Sequence, residues 1–158
     1  MSQPFTIESY DNRPDWLRGR KPGLGGSDSA CAVGIGRWKG AYSISTDKLT
    51  DAIDETPPDE TAEWGHRLEP AIAKKFQEIV SEWDYPYTLE DLGDFTICRS
   101  TERPHLHCTP DRLMYLDWTG SQVLDAECSI KCAYYESAKE WSKGVPLQYQ
   151  IQAQHTMY

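Results

Sequence analysis

The stretch "RLMYLDWTGSQVLDAECSIK", residues 112–131, decides how the fold is read. "RLMYLDW" (112–118) and "QVLDAECSIK" (122–131) are runs of strand-forming residues, and "TGS" between them supplies a turn, so the stretch predicts an antiparallel hairpin. Alternate residues of an extended strand share a face. Asp125, Glu127, Ser129 and Lys131 therefore fall on one side, and Leu124, Ala126, Cys128 and Ile130 on the other. One face is apolar and the other carries acids and a lysine. Asp111, in "CTPDR" (108–112), heads the first strand, where hairpin pairing would bring it beside this polar row. Carboxylates hold Mg²⁺ through hard oxygen ligands, and an ammonium can orient a water or stabilise charge on a phosphate, so the row suits a hydrolytic metal site.

Outward from the hairpin, "DFTICRS" (94–100) and "HLHCT" (105–109) read as further strands of a mainly antiparallel sheet. The first half of the chain has helical spacing instead. "NRPDWLRGR" (12–20) predicts a short helix capped by Asn12, "SDSACAVG" (27–34) one capped by Ser27, and "AYSISTDKLTDAI" (41–53) a third. The strongest helix is "TAEWGHRLEPAIAKKFQEIV" (61–80), where Trp64, Leu68, Ile72, Phe76 and Ile79 recur on one stripe, although Pro70 disturbs its early turns. Two more helices are expected near 135–143 and 147–158. The result is an α+β class: one domain over residues 1–158, with a central mixed sheet flanked by helices.

Charge divides unevenly along the 158 residues, whose formal net charge is -9. Residues 1–50 carry seven Lys/Arg against five Asp/Glu, residues 51–100 four against thirteen, and residues 101–158 five against seven. Bulk attraction to DNA is therefore not expected, whereas a local phosphate site among the N-terminal basic residues is. No apolar run approaches the roughly 20 residues that cross a bilayer, and the first residues lack the pattern of a signal peptide, so no membrane association and a cytoplasmic location are expected. The cysteines (Cys31, Cys98, Cys108, Cys128 and Cys132) form no CxxC pair and read as free thiols rather than a disulfide framework. With His105 and His107 some could converge on a soft metal, but their spacing is unlike ordinary zinc modules, and buried thiols are the favoured account. The tryptophans recur at element ends and read as packing rather than as a base-stacking stripe.

Four motifs then carry a resemblance, in order: "WLRGRKPGLGGSDSA" (16–30), "EWGHRLEPAIAKKF" (63–76), "CTPDR" followed by "SIKC" (129–132), and "YQIQAQHTM" (149–157). The chain resembles the YqaJ-type viral recombinases, similar to the lambda exonuclease branch of the PD-(D/E)XK nucleases. The resemblance implies a restriction-endonuclease-like core with further sheet and helical residues beyond the QxQ helix, which leaves open a C-terminally truncated fragment, a split gene product or a minimal version. It also implies a metal-dependent exonuclease acting on linear double-stranded DNA from 5′ ends in phage-type recombination.

By that resemblance Arg20 and Ser27 contact a DNA phosphate. The chemistry agrees, since a guanidinium stands beside a hydroxyl expected to open a helix, although a plain helix cap and a solvated arginine would give the same residues. Glu69 and Asp111 match metal-site acids, Lys131 matches the motif lysine, and the Ile130 carbonyl would complete the ligand set for Mg²⁺ or Mn²⁺. Gln152 and Gln154 match the glutamines of a QxQ helix lining the active-site side. Double-stranded DNA ends are the implied partner, together with a single-strand annealing recombinase, and oligomeric assembly is left open.

Ser129 departs from the pattern, because the family has Glu or Asp two residues before the lysine and a hydroxyl is a poor Mg²⁺ ligand. Glu127, with its Cα roughly 6.5 Å further along the same strand face, either supplies the missing acid or serves as a cross-strand partner of a basic residue. The alternative function is accordingly a catalytically impaired DNA-end-binding or regulatory protein on the same fold.

Overall fold

The computed structural model describes residues 4–36, 39–83, 87–118, 121–128 and 139–157, with the backbone course alone over 117–118 and 121–128. It is a mixed α+β protein whose strands, mainly antiparallel, are flanked by helices. Its contacts divide it into two compact units interleaved in sequence: Met1–Glu55, Gly93–Thr109 and Tyr135–Tyr158 in the first, Thr56–Leu92 and Pro110–Tyr134 in the second. Among the described residues no helix is long and apolar enough to cross a membrane.

The first unit holds the strands β1 (Phe5–Ser9), β2 (Leu24–Gly25), β4 (Thr96–Ser100) and β5 (Leu106–Cys108) in the order β1-β4-β5-β2, antiparallel except for the β2–β5 pair. β4 is the buried centre: Ile97 is wholly buried and Cys98 faces Cys108 across the ladder. Cys31, Cys98 and Cys108 are buried and form no disulfide, packing as small apolar side chains would.

Helices α1 (Arg13–Gly19), α2 (Gly26–Ala32), α3 (Ala41–Leu49) and α5 (Leu147–Thr156) belong to this unit; of the helix expected near 135–143, residues 139–141 are helical and 135–138 lie outside the described residues. Asn12 caps α1 as expected, its Oδ1 accepting from the Asp15 N–H at 3.0 Å. The cap of α2 is a correction: it is Gly25, not Ser27. Asp28, three residues on, reaches back to the Gly25 N–H at 3.1 Å, so the Ser27 hydroxyl is released for another partner. α3 ends at Leu49 rather than Ile53, with no regular structure where 50–53 were expected to continue it.

The second unit is built on α4 (Glu60–Val80) and the antiparallel sheet β3-β6-β7, comprising β3 (Tyr87–Glu90), β6 (Arg112–Trp118) and β7 (Ser121–Cys128). Asp59 caps α4 by accepting from the Ala62 N–H at 2.8 Å. Pro70 lies inside the helix without ending it.

The face α4 buries is a second correction. Trp64, Leu68, Ile72 and Ile79 of the expected apolar stripe are exposed, and the buried residues are Ala73 and Val80. Glu69, Ala73, Phe76 and Val80 follow one another at spacings of four, three and four, which is one helical face. Gln77 fixes that orientation: its Oε1 accepts from the Leu89 N–H at 2.9 Å and its Nε2 donates to the Tyr87 carbonyl at 3.1 Å, covering the outer edge of β3.

The β6–β7 hairpin is as the sequence suggests, with Arg112 opposite Cys128 and Leu113 opposite Glu127. It carries one irregularity. Met114 pairs with Ala126 but Tyr115 with Leu124, so Asp125 is the extra residue of a bulge. The strict alternation expected to run from Asp125 through Glu127 is interrupted there.

Candidate functional site

Two clusters hold the candidate residues that the structure describes, one in each unit. In the first unit Arg20, at the end of α1, donates from Nη2 to Ser27 Oγ at 3.0 Å, and its guanidinium lies 4.6 Å from the Trp16 ring centroid. Ser27 is exposed and Arg20 only partly so. No described carboxylate forms an ion pair with Arg20, and burial lowers its pKa, with Asp28 and Asp47 offsetting part of that cost. A half-buried guanidinium that no described carboxylate pairs directly, next to an exposed hydroxyl, is chemically an anion receptor.

The surroundings of Arg20 are residues the sequence reading did not single out. Lys48 on α3 bonds the Arg20 carbonyl at 3.0 Å and Asp28 Oδ2 at 2.9 Å, and Lys21 bonds Asp47 at 2.7 Å, so α3 is fastened to the turn after α1. Burial alone would raise the pKa of Asp28, but the Lys48 contact, the Gly25 N–H and Arg20 outweigh it and hold the carboxyl below its usual value.

His107 on β5 is 3 % exposed and neither ring nitrogen has a hydrogen-bond partner among the described residues. Burial, with Arg20, Lys48 and Arg99 close by, holds its pKa down to about 3, so the ring is neutral. Arg99 itself is spoken for by Glu8, at 2.6 Å. All these groups converge on Gly25: a Cβ there would lie 3.1 Å from Arg20 Nη2, 3.3 Å from His107 Nε2 and 3.4 Å from Asp28 Oδ2.

α5 brings Gln152, one of the two candidate glutamines among its four, to this cluster. A Cβ on Gly26 would meet Thr156 Oγ1 at 3.3 Å and Gln152 Cγ at 3.6 Å, so Gly26 lets α5 lie close against α2. His155 Nε2 is 3.1 Å from both the Leu24 and His107 carbonyls, which makes it a donor and ties α5 to β2 and β5. Gln152 is half-buried beside Ser27's helix, whereas Gln154 is exposed.

In the second unit Arg112 links the Glu69 carboxylate to the backbone carbonyl of its neighbour Asp111. Arg112 Nη1 donates to Glu69 Oε1 at 3.0 Å and also to the Asp111 carbonyl, while Nη2 lies 3.1 Å from Asp91 Oδ2. The Arg112 residue is 8 % exposed. His66 Nδ1 lies 3.9 Å from Glu69 Oε2. Glu127 stands on β7 opposite Leu113, two residues on from Asp111. Ser129, Ile130 and Lys131 lie outside the described residues.

Glu69 and Asp111 are hard oxygen donors of the kind Mg²⁺ or Mn²⁺ takes, but only the Glu69 carboxylate and the backbone carbonyl of Asp111 meet Arg112 here. Among the described residues no group of three or more His, Cys, Asp or Glu gathers as a metal site, and Arg112 already neutralises Glu69. Arg112 stands in the quoted "CTPDR", directly after Asp111, where its adjacency to a candidate ligand was the available clue.

Comparison with known proteins adds the following. A family model described as "YqaJ-like viral recombinase domain" matches residues 15–158. A relative from Bacillus subtilis (strain 168), described as "Uncharacterized protein YqaJ", is 30% identical over 145 residues, which is 91% of this chain and 41% of the relative. The chain thus spans well under half the length of that relative. No solved structure matches it.

Proposed function

This chain belongs to the YqaJ-like viral recombinase family, and from that premise we propose that it is a metal-dependent exonuclease. It would hydrolyse phosphodiester bonds of linear double-stranded DNA from 5′ ends in phage-type recombination. The observation that carries this reading is the Arg20–Ser27 pair, in which a guanidinium with no carboxylate partner sits beside an exposed hydroxyl. A terminal phosphate bears a charge of about -1.5 to -2 at neutral pH and three acceptor oxygens, which matches such a receptor better than an internal diester does.

In the working cycle Arg20 and Ser27 would grip the terminal phosphate, and the amides of Gln152 and Gln154 would donate to the DNA backbone. Asp111, Glu127, Glu69 and the Ile130 carbonyl would hold Mg²⁺ or Mn²⁺. The ion, when bound, would supply Lewis acidity to the scissile phosphoryl group and acidify a water. Lys131 Nζ would position the attacking water and stabilise charge on the phosphate. A single-strand annealing recombinase would take over the strand so exposed.

The test is nucleotide release from 5′-phosphorylated linear duplex in Mg²⁺ or Mn²⁺, beside a no-metal control and Lys131→Ala. Release that needs both metal and Lys131 supports the exonuclease. Intact DNA with folded protein favours the second reading, a DNA-end-binding or regulatory protein, for which Ser129 and the Glu69–Arg112 ion pair are the specific observations.

A further inference from the structure

We propose that His107 is the proton acceptor of the anion grip: an anion held by Arg20 and Ser27 draws a proton from solvent onto the buried imidazole, so that binding the anion is coupled to proton uptake. The inference rests on the phosphate-grip reading above and adds a residue which that reading does not use. His107 lies on β5, with Arg99 of β4 opposite it on one side and Gly25 of β2 on the other. Cross-strand partners show their side chains on one face, and Gly25 has none to show. Arg20 Nη2 and His107 Nε2 therefore border the same gap, 3.1 and 3.3 Å from where a Cβ on Gly25 would stand.

The charges packed around the ring decide its protonation. Lys48 of α3 is met by Asp28 of α2, and Arg99 by Glu8 of β1, whereas Arg20 has no direct carboxylate pair among the described residues. His155 of α5 bonds the His107 carbonyl and not the ring. Burial is the larger obstacle to a charged imidazole, and the positive charge of Arg20 is the next. A dianion on Arg20 and Ser27 reverses the second obstacle and leaves the first. Protonation then becomes favourable in mildly acidic solution, on a ring whose nitrogens have no partner among the described residues. A merely structural histidine keeps its charge state whether or not the anion is bound.

The probe is inorganic sulfate, whose own charge is constant from mildly acidic to neutral solution, titrated into the full chain at about pH 5.5 and about pH 7.5. The wild type should bind it about threefold or more tightly at the lower pH, and His107→Leu should remove most of that gain. Histidine ring signals are followed by NMR on the same samples, with thermal melts to establish folding. The His107 ring is recognised by staying neutral at both pH values without sulfate, and it should move to the imidazolium position as sulfate is added at the lower one.

Equal sulfate affinity at the two pH values, or a gain on acidification that His107→Leu keeps in full, overturns the proposal. Should that variant not fold, a wild-type His107 ring that stays neutral in saturating sulfate at the lower pH overturns it alone. Arg20→Ala separates this inference from the reading it rests on. Sulfate binding that needs Arg20 but takes up no proton retires the coupling and keeps the grip, whereas binding that is absent, or unchanged in Arg20→Ala, retires both.

Discussion

Arg20 and Arg112 are both largely buried arginines beside candidate functional groups, yet one has no carboxylate partner and the other has two. In the first unit the carboxylates nearest the grip are taken: Asp28 by Lys48, Asp47 by Lys21 and Glu8 by Arg99. Arg20 keeps its charge available for an anion from outside. In the second unit the chain's own acids use up the charge of Arg112. The lesson is that a buried arginine's role is set by how its neighbours are paired: Arg20 has its charge open to an anion, whereas the charge of Arg112 is met within the fold.

The largest predicted effect separates the two units outright. Lys131→Ala should cut hydrolysis by roughly 100- to 10,000-fold, the usual range for a positioned acid–base group, while leaving DNA-end affinity near the wild-type value. Rates and end-binding measured on one preparation check this, and a parallel loss of binding would break the division of labour.

Next comes the acid at the end of the hairpin. If Glu127 replaces the family's missing carboxylate, Glu127→Ala should abolish hydrolysis and Ser129→Glu should add little. A large gain from Ser129→Glu would place the defect at Ser129 and leave Glu127 as a bystander.

Acidification probes the first unit. His107 is neutral in the fold, with its pKa at about 3, and takes a proton near the ordinary 6.5 when unfolded. Its contribution is therefore intact above 6.5 and is lost as pH falls from there towards 3. Asp28, held below its ordinary 3.8, adds a loss of the same sign at the acidic end of that range. Denaturant melts should show stability dropping by about 1.4 kcal/mol for each pH unit below 6. His107→Leu should flatten this slope, since the nitrogens it removes are unpartnered.

The smallest effect is at Gly25. Gly25→Ala asks Arg20 and His107 each to give by a few tenths of an ångström, with Asp28 in ordinary contact, and should cost about 1 kcal/mol of stability, the low end for overpacking. It should weaken phosphate binding more than it weakens metal binding, because the three groups belong to the grip.

The sequence made the β6–β7 hairpin and α4 legible because their residue types agree with their period over many positions. It did not reveal β1 and β3, which are edge strands short enough that one ladder neighbour decides them. Nor did it reveal β2, whose two residues pair only because β5 lies alongside. The face of α4 was misread for a tertiary reason: the large apolar residues form one stripe, but the Glu69–Arg112 pair and Gln77 turn a different row towards the sheet. In the candidate site, the meeting of Arg20 with Ser27 was legible through motif order. His107, Lys48, Asp91 and Arg112 were not, because what distinguishes them is the pairing of charges far apart in sequence.

The most direct test of the central claim is the affinity of the metal-free chain for duplex ends carrying a 5′-phosphate or a 5′-hydroxyl, for the wild type and for Arg20→Ala. An Arg20 with no direct carboxylate pair among the described residues predicts that the phosphorylated end binds more tightly by roughly 1.5–3 kcal/mol, the range for hydrogen bonds to charged groups, and that the substitution erases the difference. Equal affinity for the two ends in the wild type would contradict it.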